Sequence, residues 1–156
     1  MTDHPAGSYD EIYAEVSDWL QRNWDPSCGL EAWRECLVEG GWAAPTWPVE
    51  YYGRNFSDEQ ASAVAQAFDD CGALGVAQAG TGRLASHTIL VHGNDTQKKK
   101  YLRPILTGEA SWCQLFSEPG SGSDLAGLTT KADKDGDRWV VNGQKVWNTS
   151  AHHADF

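Results

Sequence analysis

Ser117-Glu118-Pro119-Gly120-Ser121-Gly122-Ser123-Asp124 concentrates small hydroxyls and backbone freedom within Trp112 to Thr149, the segment whose reading decides the fold. Just before it, Ser111-Trp112-Cys113-Gln114-Leu115-Phe116 is apolar and aromatic enough for a strand. Pro119 removes a backbone donor, and the glycines admit conformations closed to other residues. A strand is therefore expected to deliver the chain into an irregular loop. There, main-chain N–H groups and the hydroxyls of Ser117, Ser121 and Ser123 can donate to a polar, electron-rich ligand. On composition alone, a Gly/Ser-rich turn between two strands is more often a plain connection than a site. It has neither the Lys of a P-loop nor the G-x-G-x-x-G order of a dinucleotide-binding turn.

The segment Asn142-Gly143-Gln144-Lys145-Val146-Trp147-Asn148-Thr149 reads as a hairpin turn followed by a strand. Residues i and i+2 of a strand share a face, so Trp147 and Thr149 are expected to present a flat apolar wall beside a hydroxyl. An isoalloxazine ring is apolar on its faces and polar along one edge, and it wants such a wall with several donors.

Taken together, Gln114-Leu115-Phe116-Ser117-Glu118-Pro119-Gly120-Ser121-Gly122-Ser123-Asp124-Leu125-Ala126-Gly127, Asp135-Gly136-Asp137 and Asn142-Gly143-Gln144-Lys145-Val146-Trp147 resemble the flavin-binding strand and loop of the acyl-CoA dehydrogenases. A looser likeness runs upstream through His92-Gly93, Gln97, Tyr101-Leu102 and Pro104 to Gly108. The resemblance implies an N-terminal helical domain over residues 1–109 and the opening of a middle β domain over 110–156, with the rest of that domain and a C-terminal helical domain missing. It implies FAD held by Gln114, Leu115, Phe116, Ser117, Gly122 and Ser123 and by Trp147, Asn148 and Thr149, with Ser123 also bordering the acyl-CoA substrate. The implied reaction is α,β-desaturation of an acyl-CoA thioester, with an electron-transfer flavoprotein or similar acceptor reoxidising the flavin. A homo- or hetero-oligomer is implied for the whole enzyme. The family's catalytic base is a glutamate of the C-terminal domain, so no catalytic residue is expected here and the 156 residues alone are expected to be inactive. Where many relatives have Trp-Thr-Ser or Trp-Ile-Thr, this chain has Trp147-Asn148-Thr149-Ser150, and the register with Trp147 favours Thr149 as the donor. Alternatives are an acyl-CoA oxidase or flavin monooxygenase of the same fold, or a non-catalytic subunit completing a partner's flavin or acyl pocket. Glu118 and Asp124 read as residues that fix turns rather than as an acid/base pair.

Upstream the pattern is helical, so the chain reads as mainly α with a C-terminal β portion: a helical bundle followed by the truncated start of an antiparallel β domain. Ser8-Tyr9-Asp10-Glu11 is a capping box before apolar residues at helical spacing up to Asp25-Pro26. A second helix is expected from about Ser27, burying Leu30, Trp33, Cys36 and Leu37 and ending at Gly40-Gly41. The aromatic loop with Trp42, Trp47, Tyr51 and Tyr52 is expected to pack on the helices. Ser57-Asp58-Glu59-Gln60 opens a third helix, a looser stretch from Ala73 to Gly82 leads to a fourth stopped by Gly93, and Asn94 opens a fifth ended by Pro104 or Gly108. From Ala110 the period becomes two, giving a meander over Thr129–Ala132, Arg138–Val141 and Gln144–Trp147, and a strand beginning near Ala154 looks cut short at Phe156.

A net charge of −10 repels phosphate backbones and anionic membranes, and the run Lys98-Lys99-Lys100 is short enough to be a solvated helix face. Cys28, Cys36, Cys71 and Cys113 make no C-x-x-C pair, and His152-His153 would face opposite ways on a strand, so neither a metal nor a disulfide framework is indicated. Met1-Thr2-Asp3-His4-Pro5 resembles no leader, and no apolar run reaches spanning length, so a cytoplasmic, reducing compartment is expected. If Ser123 borders the substrate, Ser123→Leu in the full-length enzyme raises KM for acyl-CoA more than it lowers flavin content. Equal loss of both would make it a loop-folding residue.

Overall fold

The computed structural model describes residues 7–75 and 81–156. The leader reading of Met1 to Pro5 and the centre of the Ala73–Gly82 stretch lie outside the described residues. The chain divides into two compact units, Met1–Ala110 and Ser111–Phe156.

The first unit is built from α1 (Tyr9–Asn23), α2 (Leu30–Glu39), α3 (Asp58–Cys71), α4 (Thr81–His92) and α5 (Asp95–Thr107), with a 3-10 turn at Val49–Tyr51. Three of the helices open on reciprocal caps: Ser8 with Glu11, Ser57 with Gln60, and Asn94 with Gln97. Each cap satisfies two backbone N–H groups that a helix start would otherwise leave open. The start of α2 corrects the sequence reading. Ser27 gives its amide and hydroxyl to Asp25 Oδ1 at 2.8 and 2.7 Å, so it closes a turn on Asp25 instead of capping a helix, and Gly29 takes the cap position. Leu30 is consequently half exposed rather than buried, while Trp33 and Leu37 do enter the core. The fifth helix runs through Pro104 and ends at Gly108, whose φ of +82° is left-handed. Pro104 forgoes only its own N–H, and its carbonyl still accepts from Gly108 and Ala110.

The amphipathic faces close on one another: α1 packs on α3, and α5 packs on α2, α4 and the 3-10 turn. Trp33 is fully buried between Trp19 and Trp24, with ring centroids 5.7 and 4.7 Å away, and its indole N–H reaches Leu74 O at 2.6 Å. The aromatic loop does pack inward, with Trp42, Trp47, Tyr51 and Phe56 all buried. Arg54 fastens it, lying 3.4 Å above the Trp42 ring while donating to Gly40 O and to Glu15. A Cβ on Gly53 would fall 2.1 Å from Trp47 O, so the loop admits no side chain there. Helix α4 is the outlier, since only Ser86 is buried along it and Leu84 and Val91 are exposed. The lysine run lies on α5 with Lys98 over the Tyr51 ring, Lys100 over the Tyr101 ring, and Lys99 and Lys100 both exposed.

The second unit contains β1 (Lys131–Asp135) and β2 (Arg138–Asn142), an antiparallel hairpin in the register Ala132 to Val141 and Lys134 to Trp139. Gly136, at φ +57°, takes the left-handed turn position that the Asp135-Gly136 pair predicts. Three expected strands are absent among the described residues. Ser111–Phe116 is not a strand, and its pairing is confined to hydrogen bonds such as Cys113 N to Phe156 O. Gln144–Trp147 is not one either, because Gly143 crosses tightly over Thr130, where a Cβ would lie 2.1 Å from Oγ1, and Trp147 is left-handed at φ +60°. Nor do the last residues after Ala154 form a strand.

Since the apolar core belongs to the first unit, leucines at two helical positions should respond differently. Leu102, fully buried on α5, should lose about 2 to 5 kcal/mol of unfolding free energy on replacement by alanine, whereas Leu84→Ala, exposed on α4, should change it by no more than about 0.5 kcal/mol in urea titrations. Equal losses would show that the Leu84 side of α4 is buried.

Candidate functional site

The loop singled out by sequence folds as a tight hairpin of its own. Glu118 N donates to Ser121 O at 2.8 Å and Ser121 N to Glu118 O at 3.1 Å, with Pro119 and Gly120 at the tip. Proline at the first tip position pre-sets φ for the turn. A Cβ on Gly127 would come within 2.8 Å of Ser121 Oγ and 2.9 Å of Asp124 Oδ2, which keeps that position a glycine.

This hairpin turns the Glu118 side chain inward, where it is 3% exposed. Its Oε2 accepts from Thr129 N at 2.7 Å and Thr129 Oγ1 at 2.8 Å, and its Oε1 accepts from Thr130 N and Lys145 Nζ, each at 2.9 Å. One carboxylate thus ties together three stretches of chain. The Thr130 side chain beside it, the Thr129 amide and the Lys145 ammonium hold the Glu118 carboxyl far below the usual carboxylate range, against the smaller upward push of burial. Lys145 Nζ also donates to Phe116 O at 2.9 Å, and Val146 N donates to Ser117 O at 2.9 Å.

The structure therefore brings Phe116 and Ser117 alongside Lys145, Val146 and Trp147, two of the three sequence-predicted cofactor stretches. Leu115 and Phe116 are half exposed, Gln114 and Ser117 partly covered, and Trp147 is 89% exposed. With Trp147 left-handed and Thr149 N bonded back to Trp147 O at 3.2 Å, the segment is a turn, so Trp147 and Thr149 do not share a strand face. Gly122 and Ser123 lie exposed beyond the hairpin, and among the described residues no hydrogen bond joins them to the Lys145–Thr149 segment. Glu118 and Asp124 both serve the loop, the latter through Gly127 N to Asp124 O at 3.2 Å.

Lys145 is the residue that sequence reasoning missed. The signal for it was a carboxylate inside a Gly/Ser loop, Glu118, which needs a cation or several donors if it is to be buried. The donor set fits a flavin: an exposed indole for the ring face, hydroxyls on Ser117 and Thr149, and Asn148 Oδ1, a buried acceptor with no partner, which matches a ring N–H. His152 and His153 lie in a turn with ring centroids 4.0 Å apart, and no group of three or more His, Cys, Asp or Glu among the described residues is placed to hold a metal. Two grooves in the first unit, of about 620 and 440 Å³, contain none of the predicted site residues.

A family model described as acyl-CoA dehydrogenase, N-terminal domain, matches residues 9–109, and one described as acyl-CoA dehydrogenase, middle domain, matches residues 113–156. The chain is 37% identical over 121 residues to acyl-CoA dehydrogenase IpdE1 of Mycobacterium tuberculosis, covering 78% of this chain and 31% of that protein. It is 40% identical over 118 residues to (2S)-methylsuccinyl-CoA dehydrogenase of Cereibacter sphaeroides, covering 75% and 21%. Among solved structures, the ChsE4-ChsE5 complex from Mycobacterium tuberculosis matches with a TM-score of 0.62 at 29% identity, covering 99% of this chain and 42% of that one. An acyl-CoA dehydrogenase complexed with FAD from Bacillus anthracis matches at 0.52 and 26%, covering 99% and 29%. The chain spans about a third or less of the length of the curated relatives it matches.

Because the folded carboxyl is depressed, the stability Glu118 contributes is fully present above its ordinary value of 4.5 and is lost as pH falls below that toward the folded value. Urea titrations of the parent and Glu118→Gln should differ most near neutral pH and converge in acid. A difference that stays constant with pH would contradict the assignment.

Proposed function

The chain belongs to the acyl-CoA dehydrogenase family, and on that premise we propose that residues 1–109 are its N-terminal helical domain and residues 110–156 the opening of an FAD-binding middle domain, in an enzyme that desaturates acyl-CoA thioesters between the α and β carbons. The observation that carries this reading is the juxtaposition of Phe116 and Ser117 with Lys145 to Trp147 around the Glu118 carboxylate. In this proposal Trp147 lies against the ring face, the Ser117 and Thr149 hydroxyls and nearby main-chain N–H groups donate to the polar edge, and Asn148 Oδ1 accepts from the ring N–H. Gln114, Leu115 and Phe116 line the entry to the loop, and Gly122 leaves room for Ser123 to border the acyl group. The chemistry FAD supplies when bound is acceptance of the hydride from the β-carbon.

Glu118 is no candidate for the base that takes the α-proton. A carboxylate that already accepts four hydrogen bonds and stays ionised far into acid is a weak base, and its oxygens face inward. In this proposal the base comes from elsewhere in the whole protein. An electron-transfer flavoprotein or similar acceptor and a homo- or hetero-oligomeric assembly complete the proposal. The four free cysteines suit a reducing, cytoplasmic compartment, and no helix among the described residues is long and apolar enough to cross a membrane.

The test is FAD titration of the full-length protein followed by flavin fluorescence. The pair Trp147→Ala and Ser117→Ala should together weaken binding by about 1 to 3 kcal/mol, through loss of an aromatic wall and a hydrogen bond. A double variant that holds FAD as tightly as the parent would show that the site lies elsewhere.

A further inference from the structure

Trp147 is 89% exposed, so its ring has almost no packing to hold it in place. Its backbone sits at φ +60°, a conformation that a bulky residue keeps only where its surroundings impose it. Among the described residues, a single backbone hydrogen bond, Val146 N to Ser117 O, joins this segment to the Phe116–Ser117 stretch. What remains to fix the spacing is Lys145, two residues before Trp147. Its ammonium bridges Phe116 O and Glu118 Oε1, each at 2.9 Å, with its side chain 18% exposed.

An exposed Lys–Glu pair stabilises little, because both side chains must be immobilised in one geometry. Here that immobilisation is already in place. The carboxylate also accepts three hydrogen bonds from Thr129 and Thr130, so the ammonium meets an acceptor held by other bonds. Removing it would leave both a buried carboxylate oxygen and the Phe116 carbonyl short of a donor.

We infer that Lys145 is a positioning residue for the cofactor site: its ammonium clamps the Phe116 carbonyl to the Glu118 carboxylate and thereby sets the distance between Ser117 and Trp147. This rests on the assignment of FAD to these two stretches. It makes flavin affinity depend on a side chain that does not itself touch the ring.

Amide hydrogen exchange by NMR and FAD titration, both on the full-length protein, test it with Lys145→Met and Lys145→Arg. In Lys145→Met, exchange at Val146 should accelerate by about tenfold or more while Thr129 and Thr130, which bond Glu118 directly, stay within about threefold of the parent. FAD affinity should fall by about tenfold, and Lys145→Arg, which keeps the charge, should retain most of both. Unchanged protection at Val146, equal loss at Thr129 and Thr130, or a Lys145→Arg variant no better than Lys145→Met would each overturn the clamp. Faster exchange at Val146 with FAD affinity intact would overturn the positioning role. A parent protein that binds no FAD would sink the cofactor assignment, while the exchange pattern would still decide whether the clamp exists.

Discussion

The Glu118 carboxylate is the constraint on which the second unit depends. That unit has no buried apolar side chain of its own; within it, the buried residues are Glu118 and Ser121. A two-stranded hairpin is marginal in water without a covered face, and β1 with β2 leaves Trp139 and Val141 exposed. What organises the surrounding loops is an ionised group whose burial would be prohibitive without donors and which has therefore collected four of them. The donors come from Thr129, Thr130 and Lys145, so the charge acts as a junction between the Glu118 loop and two later segments of the chain.

The first unit is held by different physics. Its buried tryptophans, leucines and valines form one apolar cluster closed by α1, α2, α3 and α5, with Arg54 laid across the Trp42 ring as a polar lid. Hydrophobic burial is non-directional and tolerates small shifts, whereas the Glu118 junction depends on distances within hydrogen-bond range.

Those same two kinds of physics decide what could be read in the sequence. The caps at Ser8, Ser57 and Asn94 are local, a hydroxyl or amide reaching three residues ahead, and they were legible. Ser27 carried the same local signal but had a nearer partner in Asp25, and the helix start moved to Leu30. Alternation and aromatics suggested strands at Ser111–Phe116 and Gln144–Trp147, yet neither belongs to a sheet among the described residues. There the backbone answers to long-range contacts, the Gly143 crossing over Thr130 and the Lys145 bridge to Phe116, that no local pattern encodes. The residues proposed to meet FAD were legible through their family pattern, and the structure adds how Phe116, Ser117 and Trp147 come near one another. Lys145 escaped because its partner lies 27 positions away.

The central claim is that Glu118 stays ionised because the fold requires its charge. Carbon-13 NMR of carboxyl-labelled glutamate in the folded protein measures this directly. The Glu118 carboxyl carbon should keep the chemical shift of a carboxylate as pH falls through 4.5, the ordinary value for the group, and change only when the protein unfolds in acid. An inflection near 4.5 in protein that remains folded would contradict the account.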